Sequence, residues 1–130
     1  MKVLIIDDDK DIRSIARLSL SRVGGMEVIE AASGGEGVRK ARHEKPDVIL
    51  LDMMMPAMGG LETLAVLLSQ PATAMTPVIF LTAKAVGPEV ERLTALGAAG
   101  VLSKPFDPRT LADDVKALLM GRSTPDVASS

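Results

Sequence analysis

The sequence has 130 residues, 47% of them apolar and 25% charged, with 15 Lys plus Arg against 17 Asp plus Glu. That length suits one domain around one core, and that composition argues against disorder. Nothing in the near-balanced charge points to a nucleic-acid or membrane surface, and the lack of cysteine excludes disulfides and thiolate metal sites. Two Phe with no Tyr or Trp mean an aliphatic core and no platform on which bases could stack. The N-terminus "MKVLIIDDD" is too short in apolar residues for a signal peptide. No apolar run approaches the roughly 18 residues of a membrane span, so a cytoplasmic location is expected.

Short apolar runs alternate with amphipathic segments. "KVLII" (2–6) is a buried-strand run, followed by a helical pattern with Ile12, Ile15, Ala16 and Val23 near one face, ended by Gly24 and Gly25. "EVIEA" (27–31) is a second strand. "SGGE" (33–36) has the Ser-x-x-Glu form of a capping box and opens a helix through Lys45. "DVILL" (47–51) is a third strand, apolar without alternation, as expected when both faces are covered. A helix over 61–70 and the strand "PVIFL" (77–81) follow. A helix over 88–96, then the short strand "GVLS" (100–103), complete the fourth and fifth pairs. In "DPRT" the pattern predicts a last helix with Asp107 as N-cap and Pro108 at the first helical position. Residues 121–130 read as a disordered tail or the start of a linker, after a single domain over 1–120. Five strand–helix repeats imply an α/β fold, doubly wound, with a parallel sheet and right-handed crossovers.

In such sheets ligands bind beyond the carboxyl ends of the strands. Strand 1 is followed there by Asp7, Asp8 and Asp9, strand 3 by Asp52, strand 4 by Thr82 and strand 5 by Lys104. Strand 2, ending in "AAS", brings no charged group, so four of the five strand ends deliver a polar residue to this edge. Placing strand 1 between strands 2 and 3 gathers Asp7, Asp8 and Asp52, and three carboxylates that close repel and call for a cation. Oxygen ligands alone suit Mg²⁺, which keeps waters and accepts one or two carboxylates plus a phosphate. Other polar residues have plainer explanations. Asp9 is suited to capping the first helix, and Asp47 sits at the far end of strand 3. His43 lies on a charged helix face. Gly34 and Gly35 are too few for a phosphate loop.

At these residues the chain resembles the receiver domain of two-component response regulators, the CheY-like family. The resemblance rests on "LIIDDD", "DVILLDMMMPAMGGLE", "VIFLTAKA" and "GAAGVLSKPFD", and spans residues 3 to about 120. It implies a flavodoxin-like (βα)5 fold with strand order 2-1-3-4-5. It implies that Asp52 is the phospho-acceptor, taking a phosphoryl group from a sensor histidine kinase or histidine phosphotransfer protein. Asp8, Asp52 and the backbone carbonyl of Met54 would hold Mg²⁺, with Asp7 assisting. Lys104 would pair with a phosphoryl oxygen, Thr82 would report the phosphate, and Lys104–Pro105 would be cis. Pro56, Gly59 and Gly60 would carry the chain away from the site. The output would pass to a downstream protein through the face made by helix 4, strand 5 and helix 5.

Some positions depart from the family pattern. Val101 stands where many members carry an aromatic residue. Met54 and Lys84 stand where residues tune dephosphorylation, and neither can position an attacking water, so slow loss of phosphate is expected. One alternative is a Mg²⁺-dependent phosphohydrolase of the haloacid dehalogenase type. That chemistry wants Asp-x-Asp, whereas Asp52 precedes Met53 and Met54. A flavodoxin-like cofactor carrier lacks the aromatic residues to sandwich a flavin.

Overall fold

A computed structural model describes residues 1–121. Five strands, β1 (Lys2–Ile6), β2 (Glu27–Ala31), β3 (Val48–Asp52), β4 (Val78–Thr82) and β5 (Gly100–Ser103), form one parallel sheet of order β2-β1-β3-β4-β5. Five helices alternate with them: α1 (Lys10–Arg22), α2 (Gly34–Glu44), α3 (Gly60–Ser69), α4 (Gly87–Ala95) and α5 (Leu111–Leu119). The predicted (βα)5 architecture and strand order are those observed.

Side chains alternate across a strand, and here both faces are apolar. Leu4, Ile6, Ile49, Leu51, Phe80 and Val101 pack under Val38, Ala41, Leu64, Leu67 and Leu93, which come from α2, α3 and α4. Val3, Ile5, Val48, Leu50, Ile79 and Leu81 pack under Ala16, Leu20, Leu111, Val115 and Leu118, from α1 and α5. With both faces of the central strands covered, polar groups are left to the ends of the strands.

The helices begin and end within a residue or two of the expected positions, with two informative exceptions. The inner face of α1 is Ala16, Ser19 and Leu20, while Ile15 and Val23 are exposed. Ser19 is buried because its hydroxyl donates to the Pro108 carbonyl, so a polar residue occupies the inward stripe and masks it in the pattern. The second exception is α5, which starts at Leu111 with Thr110 as N-cap rather than at Asp107. The Asp107 carboxylate is taken by the Arg109 amide (2.9 Å) and guanidinium, so it closes a local turn instead of capping a helix. At α2 the Ser33 hydroxyl accepts from the Glu36 amide at 3.2 Å, but Glu36 reaches back to the Ala32 amide (2.7 Å) rather than to its own cap residue. The predicted tail over 121–130 falls, beyond Gly121, outside the described residues.

Candidate functional site

Strands β3 and β4 each run one residue further than the apolar pattern suggests. Asp52 and Thr82 are therefore the last residues of their strands, in ladder register with Leu81 and Ser103. At the other end Asp47 leaves the ladder, and its carboxylate accepts from the Lys2 amide at 2.7 Å, a structural role. The extra ladder positions matter for chemistry: they fix Asp52 and Thr82 on rigid backbone.

Between β3 and α3 the chain doubles back on the strand end. The Gly60 amide donates to the Met53 carbonyl at 3.1 Å, and a Cβ on Gly60 would lie 2.6 Å from the Asp52 carbonyl oxygen. Gly60 is thus required by close approach rather than by torsion. The left-handed residue of this turn is Ala57, with φ 63°, not one of the glycines on which the turn was expected to depend.

Asp7, Asp8 and Asp52 each bring a carboxylate oxygen within 4.8 Å of the others. Asp7 and Asp52 are buried, and Asp8 is exposed at the rim. Lys104, following β5, enters the same cluster: its ammonium lies 2.8 Å from Asp7 Oδ2 and 3.3 Å from Asp52 Oδ1. The other Asp7 oxygen accepts from the Asp9 amide at 2.8 Å, while Asp9 caps α1 as expected, accepting from the Asp11 amide at 2.9 Å. Lys104–Pro105 is cis.

Burial, and then the neighbouring Asp7 charge, push the Asp52 carboxyl above the usual carboxylate range against the opposing pull of Lys104. Burial disfavours the Lys104 ammonium, but the hydrogen bond to Asp7 and the charges of both acids outweigh it and raise its pKa. The lysine therefore stays protonated while Asp52 carries its charge at a penalty. One ammonium among three carboxylates leaves excess negative charge on the edge of the sheet. Two buried, preset carboxylates beside an exposed one, all oxygen donors, fit a hard divalent cation that retains water.

Thr82 is buried at the strand end, its hydroxyl accepting from the Lys84 amide at 3.2 Å. It lines an open cleft of about 400 Å³ with Met53, Met54, Lys84, Glu89 and Arg92. Met54 is 80% exposed, and its amide makes a long 3.4 Å contact to Asp52 Oδ1. Val101 is fully buried as the register partner of Phe80. All the charged residues expected at the site meet at one edge, and Thr82 stands on the adjoining strand end. Sequence reasoning missed Arg13, whose guanidinium donates to the Asp7 carbonyl at 2.7 Å. An arginine in the first turn of a helix, one turn after an acidic loop, was the available signal.

Residues 3–116 match the family described as response regulator receiver domain. The chain is 34% identical to Protein PilH of Pseudomonas aeruginosa over 123 residues, covering 93% of this chain and 100% of that protein. It is 39% identical to the alkaline phosphatase synthesis transcriptional regulatory protein PhoP of Bacillus subtilis over 91% of this chain, yet spans only 48% of PhoP. Among solved structures, chemotaxis response regulator CheY4 of Vibrio cholerae superposes with a TM-score of 0.82 at 36% identity, covering 90% of this chain and 97% of that one. This family assignment, and the single receiver-type fold beneath it, leave no support for a haloacid dehalogenase-type hydrolase. No helix among the described residues is long and apolar enough to cross a membrane. The chain belongs to the receiver domain family of two-component response regulators.

Proposed function

We propose that this chain takes a phosphoryl group onto Asp52 from the phosphohistidine of a sensor kinase or phosphotransfer protein, and that the aspartyl phosphate switches a protein-binding surface. The observation that carries this reading is one buried carboxylate at a strand end, made more basic by burial, within 3.3 Å of a lysine and grouped with two further acids. A buried, basic carboxylate is a competent nucleophile. One Asp52 oxygen attacks phosphorus, the P–N bond breaks, and the departing imidazole takes up a proton. The Lys104 ammonium, already on Asp52, follows the charge onto a phosphoryl oxygen. The Thr82 hydroxyl exchanges its contact with the Lys84 amide for one to the phosphoryl group, a stronger charge-assisted bond.

Asp8, Asp52 and the Met54 carbonyl, with Asp7 in support, are the groups that would hold Mg²⁺. Bound there, Mg²⁺ supplies neutralisation of phosphoryl charge and in-line orientation. The activity is self-directed phosphotransfer and slow autodephosphorylation in the cytoplasm, with output to a protein partner through the α4–β5–α5 face. The folded receiver occupies residues 1–120.

Acetyl phosphate with Mg²⁺ should add one phosphoryl group, read by intact mass. Chelation or Asp52→Ala should abolish the adduct, and equal labelling of Asp52→Ala would remove Asp52 from the role.

A further inference from the structure

The Asp8 carboxylate stands apart from its neighbours. Among the described residues it has no hydrogen bond or ion pair, whereas Asp7 is held by Lys104 and the Asp9 amide. Its position is therefore set by the backbone that carries it. The peptide between Asp7 and Asp8 has its carbonyl oxygen fixed by Arg13 Nη1 at 2.7 Å, and the Asp7 amide donates to the Ala31 carbonyl at 3.1 Å.

Arg13 is itself braced. Its Nε donates to Glu30 Oε1 at 3.2 Å, while Arg17 Nη1 holds the other Glu30 oxygen at 2.7 Å. Lys40, from α2, fixes the Glu30 carbonyl at 2.6 Å. The side chains of Arg13 and Glu30 are 15% and 26% exposed, so the pair is largely shielded from solvent, unlike a rim ion pair. The hydrogen bond from Arg17, opposed by burial and aided by Arg13, holds the Glu30 carboxyl below its ordinary range, so it is fully ionised at neutral pH. The planar guanidinium uses two edges at once, one on a carboxylate and one on a carbonyl, which a lysine ammonium cannot reproduce with one fixed geometry.

We infer that Arg13 is a positioning residue for metal binding: with Glu30 and Arg17 it locks the Asp7–Asp8 peptide so that the unanchored Asp8 carboxylate faces the cation site. Arg13 touches neither cation nor phosphoryl group. The inference rests on the reading of Asp8 as a Mg²⁺ ligand. It is also independent of Asp52 chemistry, since it concerns the geometry before any phosphoryl group arrives. Groups that orient metal ligands typically change affinity by 10- to 100-fold when removed.

The test is calorimetric titration of Mg²⁺ into wild type, Arg13→Met, Arg13→Lys and Glu30→Gln, each checked for folding by circular dichroism. Arg13→Met should weaken Mg²⁺ binding about tenfold, and Arg13→Lys should recover part of that loss. Glu30→Gln should weaken binding less, and Arg13→Met/Glu30→Gln should be no weaker than Arg13→Met alone, because the two act through one contact. In phosphorylation with acetyl phosphate, Arg13→Met should need more Mg²⁺ for half-maximal rate but reach the wild-type rate at saturation. A purely structural role would lower the saturated rate or the folded fraction instead. If wild type takes up no Mg²⁺, the functional reading fails. If wild type binds and folded Arg13→Met binds equally well, the brace is refuted while that reading stands. Should Arg13→Met not fold, an unchanged affinity in both Arg13→Lys and Glu30→Gln refutes it equally.

Discussion

Replacing Asp52 by Asn should stabilise the metal-free protein at neutral pH. At separations up to 4.8 Å the Asp7 charge repels Asp52 by at least about 3.5 kcal/mol, taking an effective dielectric constant near 20. The Lys104 ammonium at 3.3 Å attracts it by about 5 kcal/mol on the same scale. The two charges thus largely offset each other, and burial, the largest cause, with the Asp7 charge behind it, sets the Asp52 carboxyl above its ordinary range against the pull of Lys104. Asparagine keeps the shape, removes the buried charge and leaves Lys104 to Asp7 at 2.8 Å. The variant should therefore be the more stable, with each kcal/mol gained raising Tm by roughly 3–5 °C in a domain of this size.

The same shift fixes the pH dependence. A carboxyl whose folded pKa is raised binds more protons in the folded state, so its contribution to stability falls as pH rises through that pKa. The advantage of Asp52→Asn should therefore be present at pH 7, shrink as pH is lowered through the folded Asp52 pKa, and vanish near the ordinary aspartate value of 3.8. Urea and thermal melts followed by circular dichroism in EDTA, from pH 7 to pH 4, read this directly. An Asp52→Asn protein less stable than wild type at pH 7, or an advantage that grows in acid, would show that Lys104 and not burial dominates the site.

Millimolar Mg²⁺ should raise the Tm of wild type and do so less for Asp52→Asn, since it binds only the folded acid cluster; equal shifts in calorimetry would argue against Asp52 as a ligand. Gly60→Ala should cost roughly 2 kcal/mol in urea unfolding, because its Cβ meets backbone that cannot yield rather than a pliable side chain, and wild-type stability would contradict the tight approach. Met54→Asn should speed loss of the phosphoryl group on the order of tenfold by giving the attacking water an acceptor, whereas slower or unchanged decay would exclude that positioning role. In a beryllofluoride complex the largest amide shifts should fall in residues 82–90 and smaller ones around Val101, since buried Val101 has one stiff χ1 and no reach toward Thr82. Dominant changes at Val101 and α5 would place the transmission elsewhere.

The sequence by itself determined the alternation of strands and helices, because apolar runs of five residues separated by amphipathic segments admit few other folds. It also determined which edge carries the site residues. In a parallel sheet every strand ends at the same edge, so Asp7, Asp52, Thr82 and Lys104 had to share that edge once the strands were found. The strand order itself came from family resemblance, as nothing local encodes which strand lies beside which. Tertiary structure alone decided the electrostatics. Lys104 lies 97 residues from Asp7 in the chain yet bonds to it, and the raised Asp52 pKa depends on burial by neighbours from several elements. It also decided the inward turn of Ser19 and the late start of α5, where a hydroxyl found a carbonyl and a carboxylate found a guanidinium. Arg13 is the plainest case: its charge was visible in the sequence, but a side chain's hydrogen bond to a particular backbone carbonyl is set by distance and direction in space, which residue spacing along a chain does not carry.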